Sequence, residues 1–339
     1  MITRSAPARV GILGNPSDGY GGKTLGLAVP ELTATVSLQP GGGIRIAPGA
    51  DDATRWSSTA AFVDRIDRFG YGSGTQLLAA AVRTFIDVAD SVGTAPPDGF
   101  ELTYNTTIPR QVGLGGSSAL VVAALGCLAE FVGLEIPEVV MPSIALRVET
   151  EQLGITAGLQ DRVVQVYGGL VAMDFGTEEI DGHFGVSHGH YEQLDQTGLP
   201  PLFVAYRESA AEPSGAYHGQ LRARFEAGDV VVRETMRSLA ALVTEGRAAL
   251  RWGNGEHIAD LIDENMTLRT HLGPVPEDQL ELVSIATSVE ASATFAGSGG
   301  AVVGAYRDPD HLDLIRAAYA TIGVDSVFAI GQIDESEAG

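Results

Sequence analysis

A chain of 339 residues with 43 acidic against 21 basic side chains carries a formal charge of −22. Nucleic acids and anionic membranes are bound chiefly through Lys and Arg, so this balance argues against both as partners. At this length, 45% hydrophobic residues suffice for a sizeable core and for about two domains, which argues against disorder. No apolar run approaches the ~18 residues of a bilayer span, and Met1–Val10 lacks a long apolar h-region, so a soluble, cytoplasmic protein is expected. The single cysteine, Cys127, lies in the apolar stretch Leu120–Phe131 and reads as a core residue of a reducing compartment.

In chain order, Arg9–Leu13 predicts a strand, followed by β-rich sequence through Thr33–Leu38 and around Ile44–Ile46. Helical periodicity runs over about Gly74–Val92, and Glu101–Thr107 alternates as a strand does. The run Ser117–Phe131 is apolar all round and predicts a buried helix; Pro142 opens another that ends near Leu153. Strands are expected at Gly169–Asp174, Pro201–Tyr206, Gly297–Tyr306 and Ser326–Ile330. Helices are expected at about Ala216–Ala227, Val230–Trp252, His257–Thr270 and Glu277–Val289. Strand and helix mix in both halves, which makes the fold class α+β. The Gly-, His- and Asp-rich segment Gly176–Pro200 is the expected junction of two domains, set at 1–185 and 200–333, and the tail Asp334–Gly339 is expected to fray.

The 43 glycines bunch rather than scatter, at Gly11–Gly26, Gly41–Gly43, Gly113–Gly116 and Gly297–Gly304. In Pro109–Ala119 (Pro-Arg-Gln-Val-Gly-Leu-Gly-Gly-Ser-Ser-Ala) a strand enters and a helix leaves. Free N–H groups at that helix start can converge on a phosphate, while Ser117 and Ser118 can cap the helix or ligate a metal. A plain Ser-capped helix after a glycine turn is the competing reading. Dinucleotide binding is disfavoured, because the loop is not Gly-x-Gly-x-x-Gly. Ser17–Thr24 ends like a Walker A loop, yet Ser17 stands where the first glycine belongs and Pro30 with β-branched alternation follows, so it is rejected.

With these residues in view, Pro109–Ala119 resembles the ATP-binding motif of the GHMP small-molecule kinases. Arg9–Asp18 looks like the family's N-terminal substrate motif and Phe295–Ala301 like its C-terminal glycine motif. Gly-Asn-Pro-Ser-Asp at 14–18, Ile-Pro-Arg-Gln at 108–111, Ala-Gly-Leu-Gln-Asp-Arg at 157–162 and Gly-Ser-Gly-Gly-Ala-Val-Val at 297–303 are similar to the glucuronokinase branch. The resemblance implies a ribosomal-protein-S5-like N-terminal domain and a ferredoxin-like C-terminal domain. It also implies ATP and Mg²⁺ as cofactors, with a small sugar or sugar acid as the partner.

Carried over residue by residue, the resemblance implies that Gly113, Leu114, Gly115, Gly116, Ser117 and Ser118 hold the triphosphate. Ser118 and Glu149 would ligate Mg²⁺, Asp161 would orient or deprotonate the acceptor hydroxyl, and Arg9, with Arg162 as a second candidate, would steady the reacting charge. Asn15, Ser17, Asp18, Gly297 and Ser298 would contact the acceptor. Read without the family, Glu149 and Glu151 are ordinary solvated helix residues, Asp161 is a helix cap, and Arg9 and Arg162 are surface ion-pair partners. Asn15 stands where galactokinase-like relatives carry Glu, and losing that carboxylate suits an anionic acceptor. Thr294 and Ala296 depart from the family's usual Lys and Thr, leaving Lys23 and Arg207 as candidate cations for a substrate carboxylate. Tyr20 and Tyr71 are candidates to pack on a sugar ring. His183, His188 and His190 lie close enough to suggest zinc, but no such site is implied.

The expected activity is an ATP-dependent sugar 1-kinase acting on D-glucuronate. Competing readings are a kinase for galactose, a heptose, arabinose or mevalonate, and a catalytically silent sugar and nucleotide sensor. The acidity is expected to stay outside the site. Leu102–Ala129 contains no Asp or Glu and only Arg110 as a charge, and Ala291–Tyr306 contains no charge at all.

Overall fold

The computed structural model describes residues 1–47, 54–69, 75–207, 214–324 and 326–331. Tyr71 and the tail Asp334–Gly339 lie outside them. The N-terminal strand β1 (Ile2–Leu13) pairs along its length with β2 (Lys23–Pro40), the two joined by a short 3₁₀ turn at Ser17–Tyr20. Lys23 and Thr24 thus enter a strand and not the helix that a Walker A loop requires.

The register between β1 and β2 jumps from Pro7↔Thr33 to Ala8↔Val29. Pro7 and Pro30 have no N–H to give to a ladder, so a bulge is the natural outcome there. Beyond it the two halves of β2 serve different neighbours: residues 34–40 pair with β5 (Phe100–Thr106), and residues 23–27 with β6 (Leu170–Asp181). β3 (Ile44–Ala47) and β4 (Thr54–Trp56) extend the sheet on the β5 side, and β7 (Val186–Leu194) on the β6 side. The stretch expected as a junction is therefore largely the β6–β7 hairpin of this first sheet.

Helix α1 (Thr59–Phe69), which carries no sequence expectation, precedes α2 (Gln76–Ser91). Helix α3 (Gly116–Val132) packs on β1, β2 and α2, and its apolar surface all round matches burial on several sides. Cys127 is buried within it, its Sγ 3.3 Å from the Val36 carbonyl oxygen. The expected helix from Pro142 is split in two. Helix α4 (Met141–Arg147) passes directly into a widened π turn, Val148–Gln152, and α5 (Gln160–Tyr167) follows.

The second sheet runs β11 (Val327–Ile330), β8 (Leu202–Tyr206), β10 (Ala301–Ala305), β9 (Ser292–Phe295), all antiparallel. Helices α6 (Ser214–Glu226), α7 (Val230–Arg251), α8 (Gly255–Thr270) and α9 (Glu277–Ser288) connect β8 to β9, and α10 (Pro309–Ala320) connects β10 to β11. That order is the split βαβ arrangement of a ferredoxin-like fold. The strand expected at Gly297–Tyr306 is in fact the second arm of a hairpin, and Gly297, Gly299 and Gly300 lie in the loop between β9 and β10. One core runs through both layers, from Val10 and Leu25 through Leu242 and Ile262 to Ala296 and Val303. A second, built on Phe203, Leu282, Ile315 and Tyr319, lies under the smaller sheet.

Candidate functional site

Four segments distant in sequence meet at one guanidinium. Arg9, in the buried half of β1 and only 4% exposed, donates from Nε and Nη2 to Oδ1 of Asp161 at 2.7 and 2.6 Å. Its Nη1 donates to the carbonyl oxygens of Gly113 (2.6 Å) and Ala296 (3.1 Å). The backbone joins in: Arg9 N–H donates to Leu114 O at 3.1 Å and Gly11 N–H to Ala296 O at 2.7 Å. Arginine alone presents enough fixed donors to serve three acceptors this way.

Glycine is demanded where the loops touch. A Cβ on Gly297 would stand 2.2 Å from Gly113 O, and Gly113 itself has a φ of +77°. At the start of α3, Gly115 is left-handed, and its carbonyl accepts from Ala119 N–H, Ser118 Oγ (3.0 Å) and Gln165 Nε2 (2.7 Å). The first intrahelical bond is made at Ala119, so the N–H groups of Gly116, Ser117 and Ser118 stay free at the positive end of a 17-residue helix dipole. That end is a ready anion cradle.

Glu149 reaches the same place from the π turn, whose extra residue turns Glu149 inward to 5% exposure. Its Oε1 accepts from Ser117 Oγ at 2.9 Å, and its other oxygen is ion-paired with the buried Arg162. Arg162 also donates to Gly158 O at 2.7 Å, and burial followed by the Arg9 charge lowers its pKa to about 9. The carboxylate and hydroxyl oxygens suit a hard cation.

On the other side of Asp161 lies the turn Asn15–Asp18. Asp18 accepts the Gln160 N–H at 3.4 Å, and burial together with the nearby Asp161 carboxylate pushes its pKa up to about 6. Asn15 donates from Nδ2 to Gln160 Oε1 (3.1 Å) and accepts from Arg269 Nη1 (2.5 Å). Ser17 is buried and donates to Lys23 O at 2.8 Å.

Residues 83–169 match the family model of the GHMP kinases N-terminal domain. Over 306 residues the chain is 40% identical to glucuronokinase 1 of Arabidopsis thaliana, covering 87% of this chain and 82% of that one. It belongs to the glucuronokinases, within the GHMP kinase family. Among solved structures, phosphomevalonate kinase of Streptococcus pneumoniae in complex with phosphomevalonate and AMPPNP superposes with a TM-score of 0.77 at 16% identity, covering 97% of this chain and all of the other. Lactococcus lactis galactokinase complexed with galactose gives 0.76 at 14% identity, covering 97% and 93%. These two show the α+β fold.

In this glucuronokinase family member, Asp161, Arg9, Gly113–Ser118, Gly297 and the Asn15–Asp18 turn all converge. Glu149 meets Ser117, whereas the wholly buried Ser118 turns its hydroxyl to Gly115 O. Lys23 pairs with Asp174 at 2.9 Å, and Arg207 pairs with Glu281 at 2.9 Å, so both candidate cations are committed elsewhere. Tyr20 packs on Phe225, ring centroids 4.8 Å apart, beneath the Arg222 guanidinium. Among the described residues no three His, Cys, Asp or Glu side chains gather to hold a metal, and no helix is long and apolar enough to cross a membrane.

Sequence reading missed the supports. Gln160 and Gln165 flank Asp161 and look like ordinary helix amides. Asn265 and Arg269 sit four apart on α8 in no motif. Asn265 Oδ1 accepts Gly14 N–H at 2.8 Å while its Nδ2 donates to Thr294 Oγ1 at 3.0 Å. Only their helical spacing could have drawn notice.

Proposed function

We propose that the protein transfers the γ-phosphate of ATP to the anomeric hydroxyl of D-glucuronate. The observation that carries this reading is the Arg9 junction, which fixes the Asp161 carboxylate beside the free amides at the α3 start, in a chain 40% identical to a glucuronokinase. The free amides of Gly116–Ser118 hold the phosphates, backed by the helix dipole and without a lysine patch. With Oδ1 of Asp161 taken twice by Arg9, Oδ2, which has Arg162 Nη1 at 3.9 Å, accepts the sugar hydroxyl and its proton, which aligns the oxygen for in-line attack. Asn15, Ser17, Asp18, Gly297 and Ser298 border the acceptor.

Glu149 with the Ser117 hydroxyl beside it would hold Mg²⁺, which would supply neutralisation of the phosphate charge, whereas the expected ligand Ser118 is wholly buried with its hydroxyl turned to Gly115 O. A lone buried thiol supports a reducing, cytoplasmic setting. The test is ADP release across a panel of D-glucuronate, galactose, a heptose, arabinose and mevalonate. Acceptor-dependent ADP with D-glucuronate foremost is the expected result. Preference for another acceptor would overturn the substrate, and ATP binding without ADP from any acceptor would favour the sensor reading.

A further inference from the structure

The Arg9 junction pins the phosphate loop at Gly113 and Leu114, and the next carbonyl, that of Gly115, is pinned from helix α5 itself. Gly115 O accepts three hydrogen bonds. Two, from Ala119 N–H and Ser118 Oγ, both at 3.0 Å, come from its own helix α3, and the third and shortest, 2.7 Å, comes from Nε2 of Gln165. Gln165 is 5% exposed and stands one helical turn after Asp161 on α5, so the two side chains share one face of that helix. The approach is close enough to require glycine, because a Cβ on Gly115 would lie 2.8 Å from Nε2.

This contact fixes an amide as well as a carbonyl. A peptide unit is planar and trans, so holding Gly115 O also holds the direction of the Gly116 N–H, the first of the free donors at the α3 start. Gly115, left-handed and without a Cβ, would otherwise leave that plane loosely set. The glutamine is at the same time a poor stability device. Its Oε1 is buried and, among the described residues, has no hydrogen-bond partner, while Gly115 O would keep two donors if Gln165 were absent. An unpaired buried oxygen costs at least as much as a third bond to one carbonyl contributes. Stability alone therefore calls for an apolar side chain at position 165. We infer, on the phosphoryl-transfer reading above, that Gln165 is a positioning residue that sets the register between the Asp161 carboxylate and the phosphate cradle.

Gln165→Met and Gln165→Leu keep the bulk and remove the donor. Each is measured beside the wild type for kcat and for KM toward ATP and toward the acceptor that the substrate panel favours, with melting temperatures taken with and without ATP. A misplacement of about 1 Å costs on the order of 10²-fold in rate and a smaller one less, so kcat should fall about 10- to 100-fold while both KM values stay within about threefold. Melting temperatures should equal or exceed that of the wild type, and ATP should still raise them. An unchanged kcat would overturn the inference, as would a loss carried by KM for ATP, which would make Gln165 a binding contact only. Lower melting temperatures in both variants would mark it as a structural strut and overturn it equally. A wild type that releases no ADP with any acceptor would instead overturn the transferase reading, and this inference with it.

Discussion

Replacing Gly297 by Ala puts a methyl group where the Gly113 carbonyl oxygen already stands. The new Cβ would lie 2.2 Å from Gly113 O and 2.9 Å from Arg9 Nη1, whereas ordinary contact begins at 3.4 Å, so something must move by about 1.2 Å (3.4 − 2.2). Gly113 O is one of the acceptors that hold Arg9, and Arg9 in turn holds Asp161, so the displacement falls on the reacting geometry. A misplacement of about 1 Å costs on the order of 10²-fold in rate. The overpacking itself costs about 1–3 kcal/mol, a shift of several degrees in melting temperature. The expected result is therefore a loss of about 100-fold in kcat/KM with a modest drop in Tm, measured by coupled ADP release and circular dichroism. Gly182→Ala, with nothing within 4 Å of its Cβ, serves as the control with unchanged values. A Gly297→Ala enzyme within threefold of wild type would refute the claim that this loop contact positions the site.

Three further outcomes follow from the same geometry. Asp161→Asn should lower turnover by about 10²- to 10⁴-fold while nucleotide still raises the melting temperature; loss of nucleotide binding would show that the carboxylate supports the cradle instead. Asp18, with an ordinary pKa of 3.8 and about 6 in the fold, binds its proton more tightly when folded, so its ionisation costs stability above about pH 6 and the cost fades as pH falls toward 4. Asp18→Asn should accordingly stabilise at pH 7–8 by at most about 3 kcal/mol and not at pH 4, and a pH-independent Tm difference would count against the buried-carboxylate origin of the effect. Arg162→Gln strands the buried Glu149 and should destabilise by about 3–5 kcal/mol in urea unfolding, with E149Q/R162Q less unstable than the sum of the single changes; strict additivity would mean that the pair is not coupled.

The site's reacting groups were readable through the resemblance to the GHMP kinase motifs; by composition only the Gly113–Ser118 loop stands out, while Asp161 and Arg9 alone read as a helix cap and a surface ion-pair partner. Arg9, Asp161 and the Gly113–Ser118 loop come together as those motifs suggested. Helices such as α7, α8 and α9 were readable through a single long period. What escaped depended on tertiary context. The π turn at Val148–Gln152 has no distinctive composition, and it is what turns Glu149 from a solvated helix residue into a buried one. Gly176–Pro200 looked like a linker because it is rich in Gly, His and Asp, a composition that fits the outer half of β6, where Gly176–Ile180 are exposed at every position and on both faces. The break between β9 and β10 was hidden because glycines in a hairpin loop and glycines in a close-packed strand look alike. Asn265 and Arg269 act through contacts to residues more than 250 positions away, and no local pattern records such a partner.

The Arg9 junction also says something about when this protein becomes an enzyme during its synthesis. The first strand emerges early from the ribosome, yet one of the acceptors for its guanidinium, Ala296 O, lies 287 residues further along. Until that hairpin is made and docked, Arg9 lacks part of its anchorage and the cradle lacks its far wall. Contacts closing so late and over so long a loop slow folding. A nascent chain can thus complete its larger sheet well before it can spend ATP, and kinase activity should arise only in the final stage of assembly.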